Sequence, residues 1–413
     1  MMRNRFSKCT ALILAVLLFT PALAGCGSKN DKAAPDKAEP DKTELADCAV
    51  SHDHEFGSVF IEISIDDFNA LGFEFGDSVD VAFSNGYEVT DIPYYNGYYC
   101  QIGGMLLVGY PGEEFIKAAI NIGDCMWDVA GLNEGDLATV TLNEHGKYLD
   151  VQEARNIQYT DDYDDYGDDE VFANFRNVKA GGIAPERLFR SASPCDNQHN
   201  RAPYANDLIE AAGVQCIVNL ADDDEKIKGY MEAPDFDSPY FKGLYENGAV
   251  IPLALNMNYT SDEFKEKLAA GLTAMAEKEG PYLVHCTEGK DRTGFVCALL
   301  EALCGADYDE IVADYMITFD NYYGISKESD PDRYNIIVES LLEPMLETIT
   351  EGTAEADGAA RSDAAGGDGT AEAAGDAAGS DAAGADLAAG AENYLKAAGM
   401  TDEAIAKLKA QLM

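Results

Sequence analysis

The sequence predicts two folded domains in series. The first, over 48–157, is mainly β and barrel-like. The second, over 172–350, is an α/β domain whose partly parallel sheet is flanked by helices. Three observations carry this reading. Apolar residues alternate along several runs of the first stretch. A Gly-Asp turn leading into an alternating strand occurs twice there. From about 172 onward, short apolar runs alternate with helical patterns and end in a strand–turn–helix.

In the first domain, "SVFIEISI" alternates Val59, Ile61, Ile63 and Ile65, a strand pattern. "SVDVAF" alternates Val79, Val81 and Phe83, and Asn85-Gly86 is a hairpin signal. "ALGFEFGDSVDVAF" (70–83) aligns without gaps on "VAGLNEGDLATVTL" (129–142). The repeated turn resembles the GD box of cradle-loop β-barrels. No catalytic constellation occurs here, which favours a structural or substrate-positioning module.

The chain has 29 basic and 75 acidic residues, a net charge of −46. This excludes a general nucleic-acid binder, which needs a basic footprint. Residues 1–25 read as a lipoprotein signal peptide. Arg3, Arg5 and Lys8 precede an apolar run from Ala11 to Ala24, too short for a comfortable membrane span. Leu23-Ala24-Gly25-Cys26 resembles a bacterial lipobox, which makes Cys26 the expected lipidation site. Acyl chains there would hold the protein on the outer, extracytoplasmic face of a cell membrane. Residues 26–47 are poor in large apolar side chains and read as a disordered tether.

"YTDDYDDYGDDE" lies in an acidic linker, 158–171. Acids and glycine starting at Asp162 partly imitate a calcium loop, but Tyr166 and Ala173 fall where ligands are needed, so a solvated linker is preferred. Beyond it, "QCIVNL" (215–220) and "AVIPLAL" (249–255) predict buried strands. A helix over 261–279 follows, with Thr260 and Glu263 as a capping box. "YLVH" (282–285) is the next strand, then a nearly all-apolar helix from Thr293 and another over 307–320. Residues 351–390 are a low-complexity Ala/Gly/Asp insertion. In 391–413, two short amphipathic helices break at Gly399, with Thr401 as an N-cap. Tyr394, Leu395, Ile405, Leu408 and Leu412 require burial, which predicts docking on the α/β domain.

The chemistry centres on "LVHCTEGKDRTGF" (283–295). Five residues separate Cys286 from Arg292. That spacing alone is weak, since Cys195 and Arg201 repeat it in "CDNQHNR". The second copy lacks a preceding apolar strand and a glycine, and reads as coincidence. At 286–292 the context is complete. A strand ends at His285, Gly289 permits a tight turn with inward N–H groups, and a helix N-terminus faces the same space. Arg292 can bind two phosphate oxygens in a fork, and Lys290 adds charge. Such a nest holds a dianion against the thiol and favours a reactive thiolate.

"HCTEGKDRTG" resembles the phosphate loop of cysteine-dependent protein tyrosine phosphatases. Its Lys-Asp-Arg-Thr form is most similar to a bacterial tyrosine phosphatase family and to some phosphoinositide phosphatases. "NFRNVKAGGIAPERLFRSASP" (174–194), "CIVNLADDDEK" and "YLKAAGMTDEAIAKLKAQL" resemble further parts of the bacterial family, over about 172–350 and 391–413. The resemblance implies that Cys286 attacks phosphorus and forms a phosphocysteine that water hydrolyses. Arg292 and the backbone of Thr287, Glu288, Gly289 and Lys290 would bind the phosphoryl oxygens. His285 would support the thiolate, and Thr293 would offer a hydroxyl to its sulfur. No cofactor or metal is implied. Asn177, Asn219 and Ala221 depart from the family pattern and put its second-loop contacts in doubt.

The general acid has three candidate sources: Asp222–Asp224, Glu288 and Asp291. Asp291 is preferred, because Asn219 has no carboxyl proton to donate. The expected activity is a protein tyrosine or dual-specificity phosphatase acting on a phosphorylated protein or small phosphoester. Alternatives are a phosphoinositide or inositol phosphate phosphatase and a non-catalytic phosphate-binding module.

Overall fold

A computed structural model describes residues 43–358 and 379–413. The expected signal peptide, Cys26, most of the tether and the middle of the Ala/Gly/Asp insertion lie outside the described residues.

Seven strands close a barrel: β1 (Glu44–His52), β2 (Val59–Ile61), β3 (Ser78–Phe83), β4 (Glu88–Tyr95), β5 (Met105–Val108), β6 (Ile116–Ile120) and β7 (Leu137–Glu144). Their order around the barrel is β1-β2-β6-β5-β4-β3-β7. The β4–β5 neighbours are parallel and the others antiparallel. The sequence repeat has a structural counterpart. β3 and β7 pair so that Val81 faces Val140, its own partner in the repeat. Asp77 accepts from the Glu74 N–H and Asp136 from the Asn133 N–H, both at 2.8 Å. Each aspartate thus ties down its turn in the same way. Val59, Ile61, Phe68, Phe73, Val79, Val81 and Tyr94 are fully buried inside.

The expected strand through Ile65 stops at Ile61. Ile65 instead begins a helix, Ile65–Ala70, because the Ser64 side chain accepts from the Asp67 N–H and caps it. The N-cap won over the alternating pattern.

The second sheet runs β11-β10-β12-β9-β8, comprising β8 (Arg176–Asn177), β9 (Leu188–Ser191), β10 (Cys216–Asn219), β11 (Val250–Pro252) and β12 (Tyr282–His285). All neighbours are parallel except the edge strand β8. β12 lies between β10 and β9, fully buried, and delivers its C-terminal end to the centre of the sheet edge. In open parallel sheets this is where ligands bind. The strand expected at 249–255 is only Val250–Pro252. The helix expected from 261 is Asp262–Ala276, and its cap is Ser261, not Thr260. Ser261 Oγ accepts from the Phe264 N–H, while Thr260 turns its hydroxyl to Asn258.

Helices Gly379–Ala397 and Asp402–Leu412 close the domain. Tyr394, Leu395, Ile405, Leu408 and Leu412 are buried in the same core as the β12 side chains Tyr282 and Val284. The Tyr394 hydroxyl donates to the Tyr259 carbonyl at 2.7 Å. Thr401 caps the last helix, accepting from the Ala404 N–H. The ends of the tract read as low-complexity are helical, since helix Glu343–Gly358 runs into it and Gly379–Ala397 emerges from it. Alanine-rich sequence carries high helix propensity. Gly390 is needed where these two helices meet: a Cβ there would lie 2.9 Å from the Ile349 carbonyl oxygen.

Candidate active site

Cys286 follows β12 directly and is buried, 3% exposed. The loop 286–290 leads into helix Asp291–Leu303, which starts two residues earlier than the sequence indicates. Gly289 has φ +70, and a Cβ would lie 2.3 Å from the Ser191 carbonyl oxygen, so only glycine fits.

The loop is held from its outer side. The Thr287 carbonyl accepts from the Ser193 N–H at 3.0 Å. The Glu288 carbonyl accepts from the Tyr322 hydroxyl at 2.7 Å and from Asn174 Nδ2 at 3.4 Å. The Gly289 carbonyl accepts from Arg190 at 3.0 Å and from Asn174 Nδ2 at 3.2 Å. His285 Nδ1 lies 3.1 Å from the Cys286 carbonyl. With the carbonyls drawn outward, the peptide N–H groups turn the other way. Among the described residues, the N–H groups from Thr287 to Thr293 have no protein acceptor. A ring of free N–H groups at a helix N-terminus is an anion site.

Arg292 is anchored at its tip. One terminal nitrogen donates to the Leu255 carbonyl at 3.1 Å, and the other lies 3.4 Å from Thr287 Oγ1. Its Nε is buried without a partner, as is Thr293 Oγ1. Lys290 is less free than the sequence implies. Its Nζ is 3.3 Å from Glu288 Oε2, 3.7 Å from Asp291 Oδ2 and 3.4 Å from the Tyr323 hydroxyl. Burial works against the Glu288 carboxylate, but Lys290 and the Tyr159 hydroxyl outweigh it and hold its pKa down.

His285 is fully buried, and that burial pushes its pKa down to about 4. Its bond to the Cys286 carbonyl and the charge of Asp222 oppose the shift, while Arg292 adds to it. At neutral pH the ring is uncharged, so it supports the site by fixing the loop and not by its own charge.

The anchors Asn174, Arg176, Arg190, Asp314 and Tyr322 escaped the sequence reading as site residues. Arg190 is 1% exposed and bonds Asp314 at 2.7 Å, while Arg176 bonds the same carboxylate at 2.9 Å. Arg176 also holds the Asn174 side chain at 2.9 Å. The available signal was an arginine within each of two short strand motifs, "NFRN" and "LFRS". A buried arginine on a strand requires a partner.

The other aspartates divide by role. Asp223 caps helix Asp224–Glu232, and Asp224 accepts from Tyr245. Asp222 is buried, 3% exposed, held by Asn219 Nδ2 and the Tyr230 hydroxyl, both at 3.2 Å. Asp291 is half-exposed in the first helical turn. Asn219, read as a departure, pairs in register with His285 and supports Asp222. Asn177 ties β8 to β9 through the Leu188 carbonyl.

The loop "CDNQHNR", read as coincidence, is structural. Cys195 is buried beside Ser193 and Asn219, and burial drives its thiol pKa up. Arg201 is 2% exposed and clamps the segment read as a solvated linker. It bonds Asp161 at 2.6 Å and the Thr160 carbonyl at 2.9 Å, and packs against the rings of Tyr159, Tyr166, Phe172 and Tyr322. Asp162 and Asp168 act as caps, accepting from the Asp164 and Val171 N–H groups.

A buried thiol at the end of a central parallel strand, followed by a loop of free N–H groups and an arginine, is an arrangement suited to cysteine-dependent phosphoryl transfer. Residues 170–413 match the model of the tyrosine phosphatase family, and the chain belongs to that family. It is 34% identical over 137 residues to a tyrosine-protein phosphatase of Nostoc commune, a stretch covering 33% of this chain and 40% of that protein. It is 56% identical over 41 residues to the triple specificity protein phosphatase PtpB of Mycobacterium tuberculosis, covering 10% of this chain and 15% of that protein. The matched stretches thus span less than half of these relatives' lengths. The barrel precedes the family match.

Proposed function

We propose that this protein hydrolyses phosphate monoesters, phosphotyrosine in proteins first among them, through a phosphocysteine at Cys286. The observation that supports it most is the buried Cys286 thiol at the head of a loop whose N–H groups are free, with Arg292 in the same turn. The substrate phosphoryl oxygens bind those N–H groups and the Arg292 fork. The Cys286 thiolate attacks phosphorus, forming the S–P bond as the ester P–O bond breaks. The departing oxygen takes a proton from Asp291. Water then attacks phosphorus, its proton returning to that carboxylate, and the S–P bond breaks to release phosphate and restore the thiolate.

The leader and Cys26 support attachment by lipid to the extracytoplasmic face of a cell membrane. Among the described residues no helix is long and apolar enough to cross a bilayer.

Cys286→Ser tests the activity. Serine keeps the shape but is a far weaker nucleophile at neutral pH, so turnover should vanish while vanadate or phosphate binding remains. Retained hydrolysis would overturn the covalent route.

A further inference from the structure

A cavity of about 330 Å³ lies between the barrel and the family domain. Lys290 and Asp291 of the phosphate loop form part of its wall. Tyr98, Tyr99 and Arg155 face it from the barrel side, and Ser340 from the family domain.

Arg155 ends the helix Leu149–Arg155 that follows the barrel. Its hydrogen bonds are weak, the Tyr99 and Ser340 carbonyls each sitting at 3.5 Å, the outer limit, and its guanidinium lies over the Tyr99 ring at 5.4 Å. It makes no ion pair among the described residues, although the protein has a large excess of carboxylates. Burial pushes its pKa down, with the nearby Tyr315 and Asp291 opposing. Ser340 Oγ, in the same wall, is buried without a partner. The Tyr315 hydroxyl is also buried without a partner, within electrostatic reach of Asp291, Arg155 and Lys290. Burying a guanidinium that has no carboxylate partner, beside a hydroxyl left without one, is costly unless an anion completes the set.

We propose that this cavity is a second phosphate subsite, so that the preferred substrate carries two phosphate groups, one on Cys286 and one on Arg155. This rests on the phosphatase reading above and names its substrate class. Lys290 and Asp291 in its wall belong to the turn that follows Cys286, and one bound molecule is proposed to reach both groups. Arg155 offers a planar fork, and the Ser340 hydroxyl adds a further donor. Together they suit the three oxygens of a phosphate better than the two of a carboxylate. The helix that follows the barrel contributes Arg155, which gives the N-terminal domain a role in substrate choice.

Calorimetric titration of the full chain tests this without relying on turnover. The probes are phenylphosphonate, 4-carboxyphenylphosphonate and 1,4-phenylenediphosphonate. The diphosphonate should bind at least about tenfold more tightly than phenylphosphonate. Arg155→Gln should abolish that gain, and Arg155→Lys should keep part of it. Equal affinity of the wild type for all three probes overturns the subsite, and this comparison needs no variant. A gain as large for the carboxylate probe overturns the phosphate assignment. A gain that survives Arg155→Gln overturns the role of Arg155. Loss of hydrolysis alone, with the diphosphonate gain intact, would count against the catalytic reading and not against the subsite.

Discussion

Asp314→Asn should damage both the stability of the fold and the phosphate loop. Asp314 is 8% exposed and receives Arg176 Nε at 2.9 Å and Arg190 at 2.7 Å. These two charges hold its carboxyl well below the usual carboxylate range despite burial. Removing one partner from a buried ionic cluster costs about 3–5 kcal/mol, because charge is left uncompensated. The lower end applies here. Glu301 lies in the same cluster, 1% exposed, with its pKa driven well up by burial and by Asp314. Without the Asp314 charge, Glu301 can ionise and restore part of the balance. A loss of about 3 kcal/mol lowers the melting temperature of a domain this size by roughly 6–12 °C. Activity should suffer more than folding. Arg190 holds the Gly289 carbonyl, and Arg176 holds Asn174, which bonds the carbonyls of Glu288 and Gly289. A loop displaced by about 1 Å loses on the order of 10²-fold in rate. Scanning calorimetry and kcat/KM on p-nitrophenyl phosphate provide the readouts. Adding Glu301→Gln should deepen both losses. If Asp314→Asn leaves melting temperature and kcat/KM unchanged, or if the double variant is no worse than the single one, the clamp is not what holds the loop.

Asp291→Asn should slow phosphotyrosine hydrolysis about 10²-fold and p-nitrophenyl phosphate much less, because a poor leaving group needs the proton most; if only Asp222→Asn shows that leaving-group dependence, the acid is Asp222. Stability should fall by about 3 kcal/mol as pH drops from roughly 6.5 to 4 on account of His285, since the unfolded ring binds a proton that the folded ring excludes until about pH 4. His285→Asn should flatten that slope by about one proton in pH-dependent melting, and an unchanged slope would refute it. Truncation after residue 390 removes Tyr394, Leu395, Ile405, Leu408 and Leu412 from the core, so it should lower the melting temperature and increase binding of a hydrophobic dye; equal stability would contradict the packing.

The candidate loop was legible as a strand, a tight glycine turn and a helix because its residues are contiguous. Its supports were not, because they come from far apart in the chain. Asn174, Arg190 and Tyr322 converge on two carbonyls, and only folding brings them together. The barrel was legible through its repeat, since two similar Gly-Asp turns imply two similar strands, here paired at Val81 and Val140. Where the reading failed, two local signals competed. Ser64 followed by two aspartates is a helix start embedded in an alternating run, and capping prevailed. Thr260 and Ser261 were both eligible caps; Ser261 caps the helix, while the Thr260 hydroxyl bonds Asn258 instead. Acidity concealed the packing of 159–166, because Tyr159 and Tyr166 find their partner in Arg201, far along the chain.

That clamp bears on how the two domains cooperate. A loose linker would leave the barrel free to wander, and Arg155 could not serve a site on the other domain. Instead, Arg201 uses its nitrogens on Asp161, Thr160, Phe172, His199 and Tyr166. Tyr159 stacks on Tyr322 at 5.1 Å, and the Tyr322 hydroxyl holds the Glu288 carbonyl of the phosphate loop. Tyr159 is only four residues beyond Arg155. The chain between them spans at most about 14 Å when fully extended. The contact that fixes the outer side of the phosphate loop therefore also confines Arg155 to its neighbourhood. A buried arginine with weak partners can be held in place this way at little cost, because its position is set by the packing of the linker and not by its own bonds.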